Sequence, residues 1–129
     1  MEIIYESPHI KMWLKDEIIH CTFKKKSIVT LKEAQAMVSS RLEFQKGKSH
    51  KAIQFISDYQ VVTKEAKQFL AKEGFKGIEK VALIIDTKLK VILGNMWIQI
   101  NKPIGPTRLF TDTDEAMKWL NENSKVRNA

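Results

Sequence analysis

Apolar and polar positions change rhythm several times along this chain, and the changes mark out its elements. Val81-Ala82-Leu83-Ile84-Ile85 is apolar without a break and is closed by Asp86. That pattern predicts a strand over 81–86 buried on both faces, with its polar end at the carboxyl rim of a sheet. Towards the amino terminus, Ile3 to Tyr5 reads as a short strand stopped by Ser7-Pro8. Ile10, Met12 and Leu14 then alternate with Lys11, Trp13 and Lys15, and Ile19, Cys21 and Phe23 with Ile18, His20 and Thr22. Two alternating runs joined by Lys15-Asp16-Glu17 predict an antiparallel hairpin with one face on the core.

The rhythm then lengthens. Thr30-Leu31-Lys32-Glu33 has the form of a capping box, and Leu31, Ala34, Val38 and Leu42 follow at helical spacing up to Gly47. Met37 and Phe44 widen that helix's apolar face. Ala52 to Ile56 reads as a second inner strand. Thr63 then caps a helix carrying Ala66, Phe69 and Leu70, with Gly74 expected as its left-handed stop and Phe75 folding back on Leu70.

Residues 88–100 admit two readings. Leu89, Ile92, Leu93, Met96 and Ile100 form a helical stripe, while Leu93-Gly94-Asn95-Met96 has the form of a hairpin turn. The helix is preferred, because a crossover must bring the next strand parallel. Arg108 to Thr111 reads as a last strand. Asp112 caps a final helix with Glu115 at the reciprocal position and a core face of Ala116, Met117, Trp119 and Leu120. The expected fold is one α/β domain over 1–123, with a mixed sheet, about four helices and a frayed tail over 124–129.

Composition narrows the function classes. The chain has 129 residues, 43% hydrophobic and 29% charged, enough for one real core. Its 22 basic and 15 acidic residues leave +7. The lysines are dispersed, which reads as a solvated surface and makes nucleic acid an unlikely partner. A single cysteine, Cys21, excludes an intrachain disulfide scaffold. The start lacks the layout of a signal peptide and no stretch has the length of a membrane span, so a bacterial-type cytoplasmic location is expected.

The carboxyl-terminal third carries a resemblance. Asn101-Lys102-Pro103, Pro106-Thr107-Arg108-Leu109-Phe110-Thr111-Asp112 and Glu115-Ala116-Met117-Lys118-Trp119-Leu120 resemble the closing segment of STAS-like (SpoIIAA-like) domains. Those pair a P-x-R-x-F strand with an E-A-x-x-W-L helix. The resemblance implies a mixed sheet with helices packed on it, and non-catalytic work: antagonism of anti-sigma factors, cytoplasmic domains of anion transporters, or carriage of lipid-type ligands. The antagonists hold a target serine after an aspartate at a helix start. Here Ser57-Asp58-Tyr59-Gln60-Val61-Val62-Thr63 has no such run, so phospho-switching transfers to no residue.

Candidate chemistry is sparse. Asp58, Asp86 and Asp112 each follow a predicted strand, and on one rim they could hold a hard cation; turn-starting and capping are the preferred account, and Asp112 already has its capping role. Thr63 and Thr87 stand at helix starts, where plain capping is the preferred reading and a bound anion the alternative. His9, His20 and His50 lack ligand or triad spacing, and Cys21 faces away from His20 as a core residue. Lys24-Lys25-Lys26 and Lys46, Lys48, His50 and Lys51 are expected at two neighbouring loops without aromatics.

Segment 88–100 says more. As a helix it carries Val91 and Ile98 opposite its core stripe, with Gly94 between and Trp97 beside them. That suits an interface or a pocket wall. Trp13, on the polar side of its strand, is a second exposed apolar candidate, unless Tyr5 or the last helix covers it. The expectation is a non-enzymatic regulatory or protein-interaction module, partnered by another protein or by itself, with no cofactor and no metal. The alternative is a carrier or sensor of a small apolar or anionic ligand held between helix 88–100 and the sheet. An enzyme working from the Asp58/Asp86 rim comes last.

Overall fold

The computed structural model describes residues 1–24, 28–56, 61–85 and 103–122. Their elements run β1 (Glu2–Glu6), β2 (Ile10–Lys15), β3 (Ile18–Phe23), β4 (Ile28–Val29), α1 (Leu31–Gln45), β5 (His50–Phe55), β6 (Val61–Val62), α2 (Lys64–Lys72), β7 (Ile78–Ile84), β8 (Thr107–Phe110) and α3 (Thr113–Leu120). Six strands form one mixed sheet in the order β1-β2-β3-β5-β7-β8. The first three are antiparallel and the last four run parallel. β4 and β6 make a separate two-residue parallel pair. The expected α/β domain with a mixed sheet is the observed one, but the β2–β3 hairpin, expected to form the sheet's edge, lies one strand in, because β1 pairs on the outside of β2. The tail over 124–129 and the expected fourth helix over 88–100 lie outside the described residues.

The hairpin turns on Asp16 and Glu17, both with positive φ (53° and 62°). Two left-handed residues give the twist that joins right-twisted strands in a two-residue loop. The expectation of one core face needs correction. Ile10, Met12, Ile19, Cys21 and Phe23 pack under α1 and α2, but Ile18 is also buried, on the other side, with Ile53, Ala82, Ala116, Trp119 and Leu120. The sheet therefore has a core on each face, with α3 closing the second. The inner strand β7 is buried on both sides, as its unbroken apolar run predicts.

Two bulges set which residues face which core. In β1, Ile3 pairs with Trp13 but Tyr5 pairs with Met12, so one extra residue turns Tyr5 to the α1 side. There its hydroxyl donates to Glu33 at 3.1 Å. In β7, His50 pairs with Ile78 but Ala52 pairs with Val81. That extra residue sends Lys80 towards α3, where its ammonium donates to the Trp119 carbonyl and lies 4.6 Å from the indole centroid.

The caps correct several details. Thr30 accepts from the Glu33 backbone N–H as expected, but the Glu33 carboxylate does not reach back; it takes Tyr5 and Ser7 instead. Asp112 caps α3 through the Asp114 N–H, and Glu115 pairs with Lys118 at 3.6 Å. Gly74 is not left-handed. After α2 the chain makes a 3-10 turn, Glu73–Phe75, and reverses at Gly77 (φ 72°). The Phe75 ring lies over Gly105, where an added Cβ would sit 2.3 Å from it.

Candidate functional site

Of the rim residues singled out from the sequence, Asp58, Asp86 and Thr87 lie outside the described residues. Thr63 is described, and its hydroxyl accepts the Ala66 N–H at 3.2 Å as the cap of α2. Capping accounts for it. Asp112 is likewise occupied by its cap. Val91, Gly94, Trp97 and Ile98, and with them the pocket between helix 88–100 and the sheet, also lie outside the described residues. Among the described residues no group of three His, Cys, Asp or Glu is placed to hold a metal.

Lys24 and the lysines around β5 stand at opposite ends of the sheet, and Lys25 and Lys26 lie outside the described residues. β3 and β5 are parallel, so Ile18 pairs with Lys51 at one end and Thr22 with Phe55 at the other. Lys24 follows the second end, while Lys48 and Lys51 belong to the first. At that first end lies an open depression of about 210 Å³, lined by Asp16, Glu17, Lys48, His50, Lys51 and Glu79 among others. Glu17 and Lys48 pair across it at 2.9 Å with both side chains well exposed. Its charges are mixed and largely solvated, which gives a ligand little to recognise.

Beneath that end sits a buried polar cluster that sequence periodicity did not find. Arg41 is 3% and Gln45 5% exposed, although each occupies a core position of α1. The Arg41 guanidinium donates to Gln45 Oε1 (2.5 Å), to the Lys76 carbonyl (2.7 Å) and to the Gly74 carbonyl (3.0 Å). Gln45 Nε2 lies 2.8 Å from the Gly77 carbonyl, 2.9 Å from that of Lys48 and 2.9 Å from His50 Nδ1. The cluster ties the end of α1 to the turn that leads into β7. Its donors are spent on main-chain carbonyls, which is structural work.

Cys21 is a core residue, as expected. Burial pushes its thiol up to about 12, and Sγ lies 3.9 Å from Met37 Sδ. A thiol held protonated in this way is no nucleophile.

The surface that stands out is on the α3 side of the sheet. Register places Ile3, Trp13, His20, Ile53, Ala82 and Arg108 in one row across all six strands. The next row is Glu6, Lys11, Thr22, Phe55, Ile84 and Phe110. α3 lies over the β5-β7-β8 half, with Trp119 tilted against Phe110 at 5.7 Å between centroids. Beside it, Trp13 of β2 stacks with His20 of β3 at 5.3 Å, and Phe55 of β5, at the border of the α3 cluster, lies 6.4 Å from each ring. All three are half-buried, and Ile3 beside them is 46% exposed.

Neither element expected to cover Trp13 does so. Tyr5 is turned away by the β1 bulge, and α3 packs on the far strands. Lys11 Nζ stands 5.7 Å from the Trp13 centroid. Burial holds His20 below its ordinary value, so at neutral pH it is an uncharged ring in this row. Trp13 could be singled out from the sequence as a large ring on a polar strand face. Phe55 and His20 could not, because only pairing brings them beside it.

Comparison with known proteins agrees with this architecture. A crystallised, uncharacterised protein of the DUF3478 family from Shewanella loihica PV-4, described as having a SpoIIAA-like fold, superposes with a TM-score of 0.59 and 18% identity. That superposition covers 90% of this chain and 98% of the other. A protein of unknown function from Arthrobacter sp. FB24 gives a TM-score of 0.32 at 17% identity, over 85% and 91%. No curated protein matches the chain. The fold is thus SpoIIAA-like, as the closing motif implied, and among the described residues no helix is long and apolar enough to cross a membrane. Residues 12–124 match the family model described as Domain of unknown function (DUF7793), and the chain belongs to that family.

Proposed function

We propose that this domain is a non-catalytic regulatory module that works by protein–protein contact, and that its contact surface is the aromatic half-face built by Ile3, Trp13, His20 and Phe55. One observation carries this reading: three rings stack side by side at the edge of the α3 cluster, Trp13 and His20 on strands that α3 leaves to one side and Phe55 at its border. Partly open aromatic surface on a rigid sheet is what an interface anchors on, because it offers large area at little cost in side-chain entropy. The strands that carry it are inner or hairpin-paired, so the rings are held in place before a partner arrives.

The test is photo-crosslinking in the native host, with a benzophenone amino acid at position 13 and, as control, at the exposed Gln35 on α1. Protein adducts at position 13 and not at 35 are expected. An adduct to a second copy of the chain would make the module a homodimer. No adduct at 13, or equal adducts at both positions, would overturn the reading.

A further inference from the structure

The charges around the aromatic row say what kind of partner it takes, if that row is the contact surface proposed above. Among the described residues, register places Lys11 and Lys15 of β2, Lys51 of β5, Arg108 of β8 and Glu6 of β1 on this face, with Lys80 beneath Trp119 and Glu79 in the bulge opposite Lys51. Glu6 stands across from Lys11 and is paired with Lys24 at 3.1 Å, and Glu79 lies at the far end beside Lys51, so the basic groups around Trp13 outnumber the carboxylates. Glu17, in the turn beyond Lys15, is paired with Lys48; Asp16 closes the turn beside it. Lys11 and Lys15 stand two residues to either side of Trp13 on the same face, roughly 13 Å apart along the strand.

The rings add to the argument. Trp13, His20 and Phe55 are within 3° to 22° of parallel and stack on one another across the strands. Their centroids form a triangle with sides of 5.3, 6.4 and 6.4 Å, so the near-parallel rings are offset from one another and meet partly by their edges. Aromatic edges carry the positive part of the ring quadrupole and favour oxygen.

We infer that the aromatic half-face binds an acidic segment of a partner protein, in which an apolar side chain meets Trp13 and carboxylates two residues to either side meet Lys11 and Lys15. The occupant is an extended stretch of the form acidic-x-apolar-x-acidic, because only an extended chain repeats the two-residue spacing of β2. Lysines at the rim of such a site set partner choice and encounter rate, and the rings supply the buried area.

The experiment is a titration of the full chain followed by ¹⁵N NMR, reading the three indole N–H signals, with that of Trp13 assigned by Trp13→Phe. The probes are the peptide Gly-Glu-Ser-Trp-Ser-Glu-Gly with blocked ends, its counterpart with lysine for glutamate, and a single-stranded oligothymidine. The acidic peptide is expected to move the Trp13 signal saturably, about tenfold more tightly than the basic one. Lys11→Gln with Lys15→Gln should remove about that factor while leaving the amide spectrum dispersed. Equal binding of both peptides, no shift at Trp13, or tighter binding of the oligonucleotide would each overturn the inference. Crosslinking at position 13 separates this failure from that of the interaction reading: a partner whose contact segment is neutral or basic defeats only the acidic assignment, and no adduct at all defeats the surface itself.

Discussion

Arg41 and Gln45, one helical turn apart on α1, share a 2.5 Å hydrogen bond, and each also reaches across to the backbone that leads into β7. Together they replace what the helical period would fill with leucine. Removing either leaves buried carbonyls without donors. Arg41→Ala is therefore expected to cost about 3 kcal/mol in chemical denaturation. Arg41→Lys should recover little, because a single ammonium does not reproduce the planar fork that spans Gln45, Lys76 and Gly74. A double-mutant cycle with Gln45→Ala should show strong coupling; additive losses would mean that the two side chains act independently.

Gly105 and Phe75 form a second close pair. A Cβ at position 105 would meet the Phe75 ring at 2.3 Å, too near for any rotamer adjustment of a methyl group. Gly105→Ala should lower stability by about 1–3 kcal/mol. Combined with Phe75→Leu, its added cost should shrink, since the smaller side chain gives way. Thermal unfolding of the two single variants and the double variant reads this directly.

The buried thiol predicts a slope in alkali. In the unfolded chain Cys21 ionises near its ordinary 9.0, whereas in the fold burial holds it protonated until about 12. Between those values the unfolded state binds fewer protons, so stability falls as pH rises, at up to about 1.4 kcal/mol per pH unit from this group. Lysines and tyrosines titrate in the same range, so the measurement is a difference. Urea midpoints of the wild type should fall more steeply from pH 9 to 11 than those of Cys21→Ala, and parallel slopes would refute the assignment. The native thiol should also resist a disulfide reagent at neutral pH until the protein unfolds.

Glu33 joins the first strand to the first helix. It accepts from Tyr5 and Ser7, and Ser7 in turn accepts the backbone N–H groups of His9 and Ile10 at 3.1 Å each. Tyr5→Phe removes one donor and should cost about 1 kcal/mol. Glu33→Ala leaves both hydroxyls without their acceptor and should cost more. Hydrogen exchange should show the loss first in the amides of β1, which has a neighbouring strand on one side only.

Much of the architecture was legible in the chain itself. The period of two over 10–23, the helical spacing after Thr30 and the apolar run of β7 reflect local geometry, and local geometry survives into the fold. Caps at Thr30, Thr63 and Asp112 were visible for the same reason: a short oxygen-bearing side chain before a helix has its partner within three residues. Even the closing motif, read as SpoIIAA-like, named a fold that the superposition bears out.

What the sequence could not decide was every property that depends on pairing between distant segments. The bulge in β1 exists only relative to β2, and it determines that Tyr5 turns to Glu33 and away from Trp13. The cluster of Trp13, His20 and Phe55 joins residues up to 42 positions apart in the chain, and no local pattern announces it. Arg41 and Gln45 are polar side chains at core positions of a helix, and their role is hidden until the carbonyls of 74–77 are brought against them. The amino-acid order by itself determined the elements and their fold class, because those follow from period and cap. Only the tertiary structure decided which faces meet, because register and bulges are set by two strands at once.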